Sequence, residues 1–200
     1  MKKRASVLLL LLLLLLLAAG AASPPASASV LIHLTFAEMT EQSSAILLGR
    51  CIEVKSVRAA DGEIVTQNVF DAQEYYKGNL GLRVTITEPG GRVGNFIAES
   101  SGVPQFTVGE QAVLFVWTSR SGRHQVIGYT QGRFRVRRDT QTGVVTLRQS
   151  AADEPMLEPP THAHGAEVSP LVFSLTSFRS QVAVELQRAA TLKRAEGSRQ

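Results

Sequence analysis

The stretch Ala112 to Thr118, Ala-Val-Leu-Phe-Val-Trp-Thr, limits the possible folds of this chain more than any other segment. It follows a turn at Val108-Gly109-Glu110 and ends at the Ser119 to Gly122 turn, so it is short for a helix of the same composition. Its valines and aromatics, in an unbroken apolar run, are those of a strand buried on both faces. Trp117, at its end, is expected at the rim of the core.

The surrounding segment, Leu31 to Ser150, is equally rich in β-branched and aromatic residues with turn punctuation, enough for one modest core. Strands are predicted over 45–57, interrupted by Gly49 where a bulge or bend turns a corner, and over 64–76, after the hairpin turn Asp61-Gly62 and before Lys77-Gly78. Over 82–88, Leu82, Val84 and Ile86 are expected inward and Arg83, Thr85 and Thr87 outward. "QVIGYT", "RFRVRR" and "VVTLRQ" are further strands, the last two forming a hairpin across Asp139 to Gly143. Two helices flank this region. Thr35 and Glu38 have capping-box spacing and start a short helix on which Phe36 and Met39 share a face. Leu175, Phe178, Val182 and Leu186 recur at helical spacing and predict an amphipathic helix to about Leu192.

The ends organise the rest. Met-Lys-Lys-Arg, ten leucines from Leu8 to Leu17, and a small-residue tail ending Ala26-Ser27-Ala28 have the three-part order of a cleavable export signal. Cleavage after Ala28 leaves 200 − 28 = 172 residues. It also removes three of the 21 Lys and Arg and none of the 17 Asp and Glu, so the mature balance is 18 − 17 = +1. The basic character that would argue for a nucleic-acid partner leaves with the signal. The expected organisation is a signal peptide at 1–28, a β domain at 29–150, a Pro-rich linker or arm at 151–172, a helix at 173–192 and a tail at 193–200. A single cysteine, Cys51, excludes an intramolecular disulfide. No later apolar run reaches membrane length, so the mature chain is expected to be secreted or periplasmic, with no stable membrane insertion.

The order of elements, with "ILLGRCIEV", "YYKG", "VTITEPGG" and "FTVGEQAVLFV" in succession over about residues 31 to 137, resembles a group of uncharacterised secreted bacterial domains. Their layout is similar to the OB-type barrel of netrin-like modules and tissue inhibitors of metalloproteases. The resemblance implies a mainly β fold: an OB-type five-stranded barrel or partly open sandwich with a short N-terminal helix, an additional β-hairpin and a C-terminal amphipathic helix. Inhibitors of that class use an N-terminal cysteine on the protease zinc, whereas this chain has no cysteine before Cys51. Only the scaffold carries over.

Candidate chemistry is sparse. In "GRFRVRR", if Phe134 and Val136 face the core, Arg133, Arg135 and Arg137 form a row on the other face and Arg138 adds a charge at the turn. Arg148 and Arg83 extend the row if their strands are adjacent. Such a ladder grips carboxylates, sulfates or phosphates; the alternative is a solvated face balanced by acidic neighbours. His162 and His164, two apart on the arm, could hold a metal with Glu158 or Glu167, or could be stray surface histidines. Cys51 reads as a small buried hydrophobe or as a nucleophile awaiting a distant histidine. Residues 90–103 are a second candidate surface, closing one mouth of the barrel. No catalytic or cofactor frame is present, and neither a cofactor nor nucleic acid is expected. These features predict a non-enzymatic module that binds a protein or acidic glycan. The alternative is a small exported hydrolase or metal-dependent enzyme using Cys51 or the His162/His164 pair.

Overall fold

Thr35 starts the first helix as its spacing predicts: its hydroxyl accepts from the Glu38 amide and the Glu38 carboxylate accepts from the Thr35 amide at 2.8 Å. This and all that follows come from a computed structural model that describes residues 31–150, 156–157 and 169–197. The expected signal peptide, His162 and His164 lie outside the described residues.

In chain order the elements are β1 (Leu31–Ile32), α1 (Phe36–Gln42), β2 (Ala45–Arg58), β3 (Ile64–Lys77), β4 (Arg83–Pro89), β5 (Gly91–Val93), β6 (Phe96–Ala98), β7 (Gln111–Thr118), β8 (His124–Val126), a 3₁₀ turn (Tyr129–Gly132), β9 (Arg133–Arg138), β10 (Val145–Gln149), β11 (Met156–Leu157), β12 (Val172–Ser174) and α2 (Leu175–Gly197). The fold is mainly β, with one eight-stranded sheet in the order β12-β10-β9-β7-β2-β3-β4-β8. A further pairing of β7 with β8 joins β2, β3, β4, β8 and β7 into a ring, from which β9, β10 and β12 extend as a wing. Register shifts around Leu48 and Gly49 fit the bend expected there.

The apolar run lies in β7, between β2 and β9. Ala112, Leu114 and Val116 join the first core cluster, with Leu47, Cys51, Phe70 and Ile86; Val113 and Phe115 join the second, with Met39, Phe134, Leu147 and Phe178. Period-two alternation thus divides one strand between two cores. The second core lies beneath both helices: Phe36 of α1 and Phe178 of α2 meet edge-on with ring centroids 5.7 Å apart, and Phe115, Phe134 and Phe173 pack around them. Leu175, Val182 and Leu186 pack there too, on the face their spacing predicts. No described helix is long and apolar enough to cross a membrane.

Four local expectations change. Leu82 is 84% exposed, because β4 begins at Arg83 and the side chain falls beyond the ladder. "QVIGYT" is not a full strand: β8 stops at Val126, and Gly128 and Tyr129, both at positive φ, lead into the 3₁₀ turn. Within 90–103 the chain folds into the β5–β6 hairpin. Val172, placed in the linker, starts β12 and pairs with Arg148, and α2 continues to Gly197.

Candidate functional site

The wing has two unlike faces. Phe134 and Val136 of β9 and Leu147 of β10 point into the second core under α2, so Arg135 and Arg137 of β9 and Thr146 and Arg148 of β10 occupy the opposite face. Arg135 stands directly across the ladder from Arg148, and Arg137 from Thr146. Like charges directly opposite one another destabilise a sheet. None of the ion pairs among the described residues includes Arg135, Arg137 or Arg148. All three are exposed.

Arg133 differs from the other ladder residues. It was expected in the exposed row, but only 3% of it is accessible. Its guanidinium forms an ion pair with Glu110 and lies 4.7 Å from the Phe106 ring centroid. Burial pulls the guanidinium below its usual range, and Glu110 acts in the opposite direction. The physical reason is position: β9 starts where the wing leaves the ring, opposite Leu114 of β7, so its first inward residue still meets the first core. Arg138, on the other side of the strand, donates to the Gly143 carbonyl at 3.2 Å. Arg83 does not extend the ladder, because β7, β2 and β3 separate β4 from β9, and it pairs instead with Asp71 at 3.4 Å. Arg148 does extend it.

At the foot of the ladder is a cavity of about 310 Å³, lined by Thr130, Arg133, Arg135, Arg137, Arg148 and Ser150 among others. Two buried amides are bonded beside it, Gln149 in its wall and Gln131 next to Thr130 in the chain. Gln131 donates to the Ile32 carbonyl and accepts from the Leu34 amide, while Gln149 donates to the Gln131 carbonyl and accepts from the Leu171 amide, all at 2.8 to 3.1 Å. Beside these satisfied groups, Thr130 Oγ1, Arg133 Nε and Ser150 Oγ are buried without a hydrogen-bond partner. Neither Thr130 nor Ser150 drew attention in the sequence, where nothing but proximity to "GRFRVRR" distinguishes them.

Of the other candidates, the 90–103 segment reaches this site only through its end, where Val103 lines the cavity and the Gly102 carbonyl accepts from the Thr130 amide at 3.2 Å, and Cys51 is not brought to it. Cys51 is fully buried in the first core, its thiol donates to the Glu53 carbonyl at 3.6 Å, and burial pushes its pKa up. No thiolate is presented to solvent. No group of three His, Cys, Asp or Glu among the described residues could hold a metal. The β5–β6 hairpin carries exposed Phe96 and Ile97, with Arg58 5.1 Å from the Phe96 ring centroid. Comparison with known proteins finds no matching family model, curated protein or solved structure.

Proposed function

We propose that this chain is a secreted, non-enzymatic interaction module that binds an acidic protein or glycan through Arg135, Arg137 and Arg148. The observation that carries the reading is the uncovered face of the wing, where three exposed arginines have no carboxylate partner among the described residues and two stand directly opposite each other. A sheet that tolerates cross-strand repulsion gives up local stability, a departure expected at functional sites. Guanidinium forks match the paired oxygens of carboxylates, sulfates and phosphates.

The scaffold proposed is an OB-type barrel, as in the netrin-like modules that the sequence resembles. The cyclic order β2, β3, β4, β8, β7, with one parallel contact between Ile86 and His124, supports it. Export rests on the leader at residues 1–28. The test is retention of the purified protein on immobilised acidic glycan and on an immobilised acidic protein at physiological salt, beside an Arg135→Ser/Arg137→Ser/Arg148→Ser variant. Retention on either support that the folded variant loses places the contact on the wing. Equal retention of both proteins, or of neither, removes the reading.

A further inference from the structure

Glu88 is a buried acid, 3% exposed, that no basic side chain answers: none of the ion pairs among the described residues includes it. Acids are seldom buried unless paired. One of its oxygens accepts from the Val126 amide at 2.8 Å. The other makes no hydrogen bond, yet it is not among the partnerless side-chain atoms sealed from solvent, which belong to Asn68, Thr130, Arg133 and Ser150, so it keeps accessible surface. Glu88 and Val126 line a cavity of about 170 Å³ together with Trp117, Gln125 and Tyr129. Trp117 stands directly across the β7–β8 ladder from Gln125, so the two side chains leave the same face, one residue from the amide that Glu88 holds. Trp117 is 39% and Tyr129 41% exposed. Tyr129 alone among the described non-glycine residues has a positive φ, 60°. Glycine would hold that turn without steric cost, and an aromatic residue kept in a disfavoured conformation points to a role for its ring.

We propose that this cavity binds one primary ammonium group on an alkyl stem, with Glu88 as its counter-charge, Gln125 beside it and Trp117 and Tyr129 as aromatic walls. The site is separate from the arginine face of the wing and does not depend on it. Aromatic rings attract cations and cover an apolar stem, and a buried acid supplies the charge that such a ligand needs. The single free oxygen of Glu88 suits a compact ammonium, whereas a guanidinium fork matches two oxygens. Pockets for drug-sized ligands run to ~300 Å³ or more, so this one has room for a head group and part of its stem. Burial raises the Glu88 pKa to about 8, so at neutral pH the acid is protonated before the ligand arrives. The ammonium favours the carboxylate; binding therefore sends the Glu88 proton to the buffer while the ligand keeps its own. The other titratable group in the wall is Tyr129. Nearby on β8 and its turn, His124 bonds to the Thr118 hydroxyl at 3.0 Å and Arg123 pairs with Asp61 and Glu63. None of these charges contributes to the Glu88 shift.

Trp117 is the only tryptophan in the chain, so its fluorescence reports on this cavity. The test is fluorescence titration of the purified protein at constant ionic strength with n-butylammonium, n-butanol, n-butylguanidinium and a blocked Gly-Lys-Gly peptide. The wild type is expected to give a saturable change with n-butylammonium at least roughly tenfold more tightly than with n-butanol. Its affinity should rise by up to roughly tenfold per pH unit from pH 6 to 8 and level off above, because the proton must leave Glu88. Glu88→Gln keeps an acceptor for the Val126 amide and should lose both the preference for the cation and the pH dependence. Tyr129→Gly should bind more weakly while melting at the same or a higher temperature, since glycine removes the backbone strain. Tighter binding of the peptide than of n-butylammonium assigns the stem to a lysine of a partner protein, and the reverse order to a free amine; either upholds the site. Equal binding of n-butanol, a wild-type affinity that does not change with pH, or no saturable change with any ammonium probe overturns it. Tighter binding of n-butylguanidinium overturns the ammonium head group.

Discussion

Glu88 accepts a hydrogen bond from the Val126 amide at 2.8 Å, at the point where backbone pairing between β4 and β8 has run out. The two strands share one paired position, Ile86 with His124, and the carboxyl two residues on serves in place of the next rung. It is 3% exposed, and burial pushes its pKa from 4.5 up to about 8, against the lowering effect of the Val126 amide.

Glu88 therefore makes stability depend on pH. The folded chain keeps this proton up to about pH 8, whereas the unfolded chain releases it near 4.5. The group's contribution is fully present below 4.5 and is lost as pH rises through 8, with a total change of a few kcal/mol. Urea unfolding from pH 4.5 to 9 should show wild-type stability falling relative to Glu88→Gln across this window and running parallel above it. Parallel curves throughout would contradict the assignment.

Arg133 and Glu110 should behave as a buried pair. Glu110→Gln leaves the guanidinium without its counter-charge and is expected to cost about 3 kcal/mol or more, whereas Arg133→Met/Glu110→Gln should return to within ~1 kcal/mol of wild type. Denaturant midpoints of the two proteins check this, and a double variant less stable than Glu110→Gln refutes it.

Gly78 should be harder to replace than Gly62. Both have positive φ, 63° and 88°, but a Cβ at Gly78 would collide with the Ser44 carbonyl oxygen, whereas one at Gly62 meets nothing within 4 Å. Gly62→Ala should cost roughly 1 to 2 kcal/mol from the left-handed conformation alone. Gly78→Ala should cost clearly more in the same thermal melts.

Burial, not the surface ion pair, should anchor α2. Arg179 forks onto both Glu74 oxygens at 2.7 and 2.9 Å, yet Arg179 is exposed and Glu74 only half-buried. Arg179→Ala should cost below about 1 kcal/mol, whereas Phe178→Ala, in the centre of the aromatic cluster, should cost about 3 to 5 kcal/mol. Similar losses for the two would contradict the packing described.

What the sequence made legible was local. The capping box at Thr35, the turns at Asp61-Gly62 and Asp139 to Gly143, the seven-residue apolar run and the stripe of Leu175, Phe178, Val182 and Leu186 each declare themselves within a few residues. What it hid depended on distant partners. Alternation placed Arg133, Arg135 and Arg137 on one side of a strand, but the burial of Arg133 arises from Phe106 and Glu110, more than twenty residues upstream. The wing's third strand, β12, follows the arm and exists through its pairing with β10. Thr130 and Ser150 become notable only once their hydroxyls are seen to lack partners.

The most direct test of the central claim is a binding isotherm for an acidic oligosaccharide at fixed ionic strength, measured for the wild type and for the Arg135→Ser/Arg137→Ser/Arg148→Ser variant, with both shown to melt alike. Hydrogen bonds to charged groups contribute ~1.5 to 3 kcal/mol each, so losing three should weaken binding at least roughly a hundredfold. A variant that binds as tightly as the wild type would contradict the account, because it would mean that the unpaired arginines of the wing are not the contact.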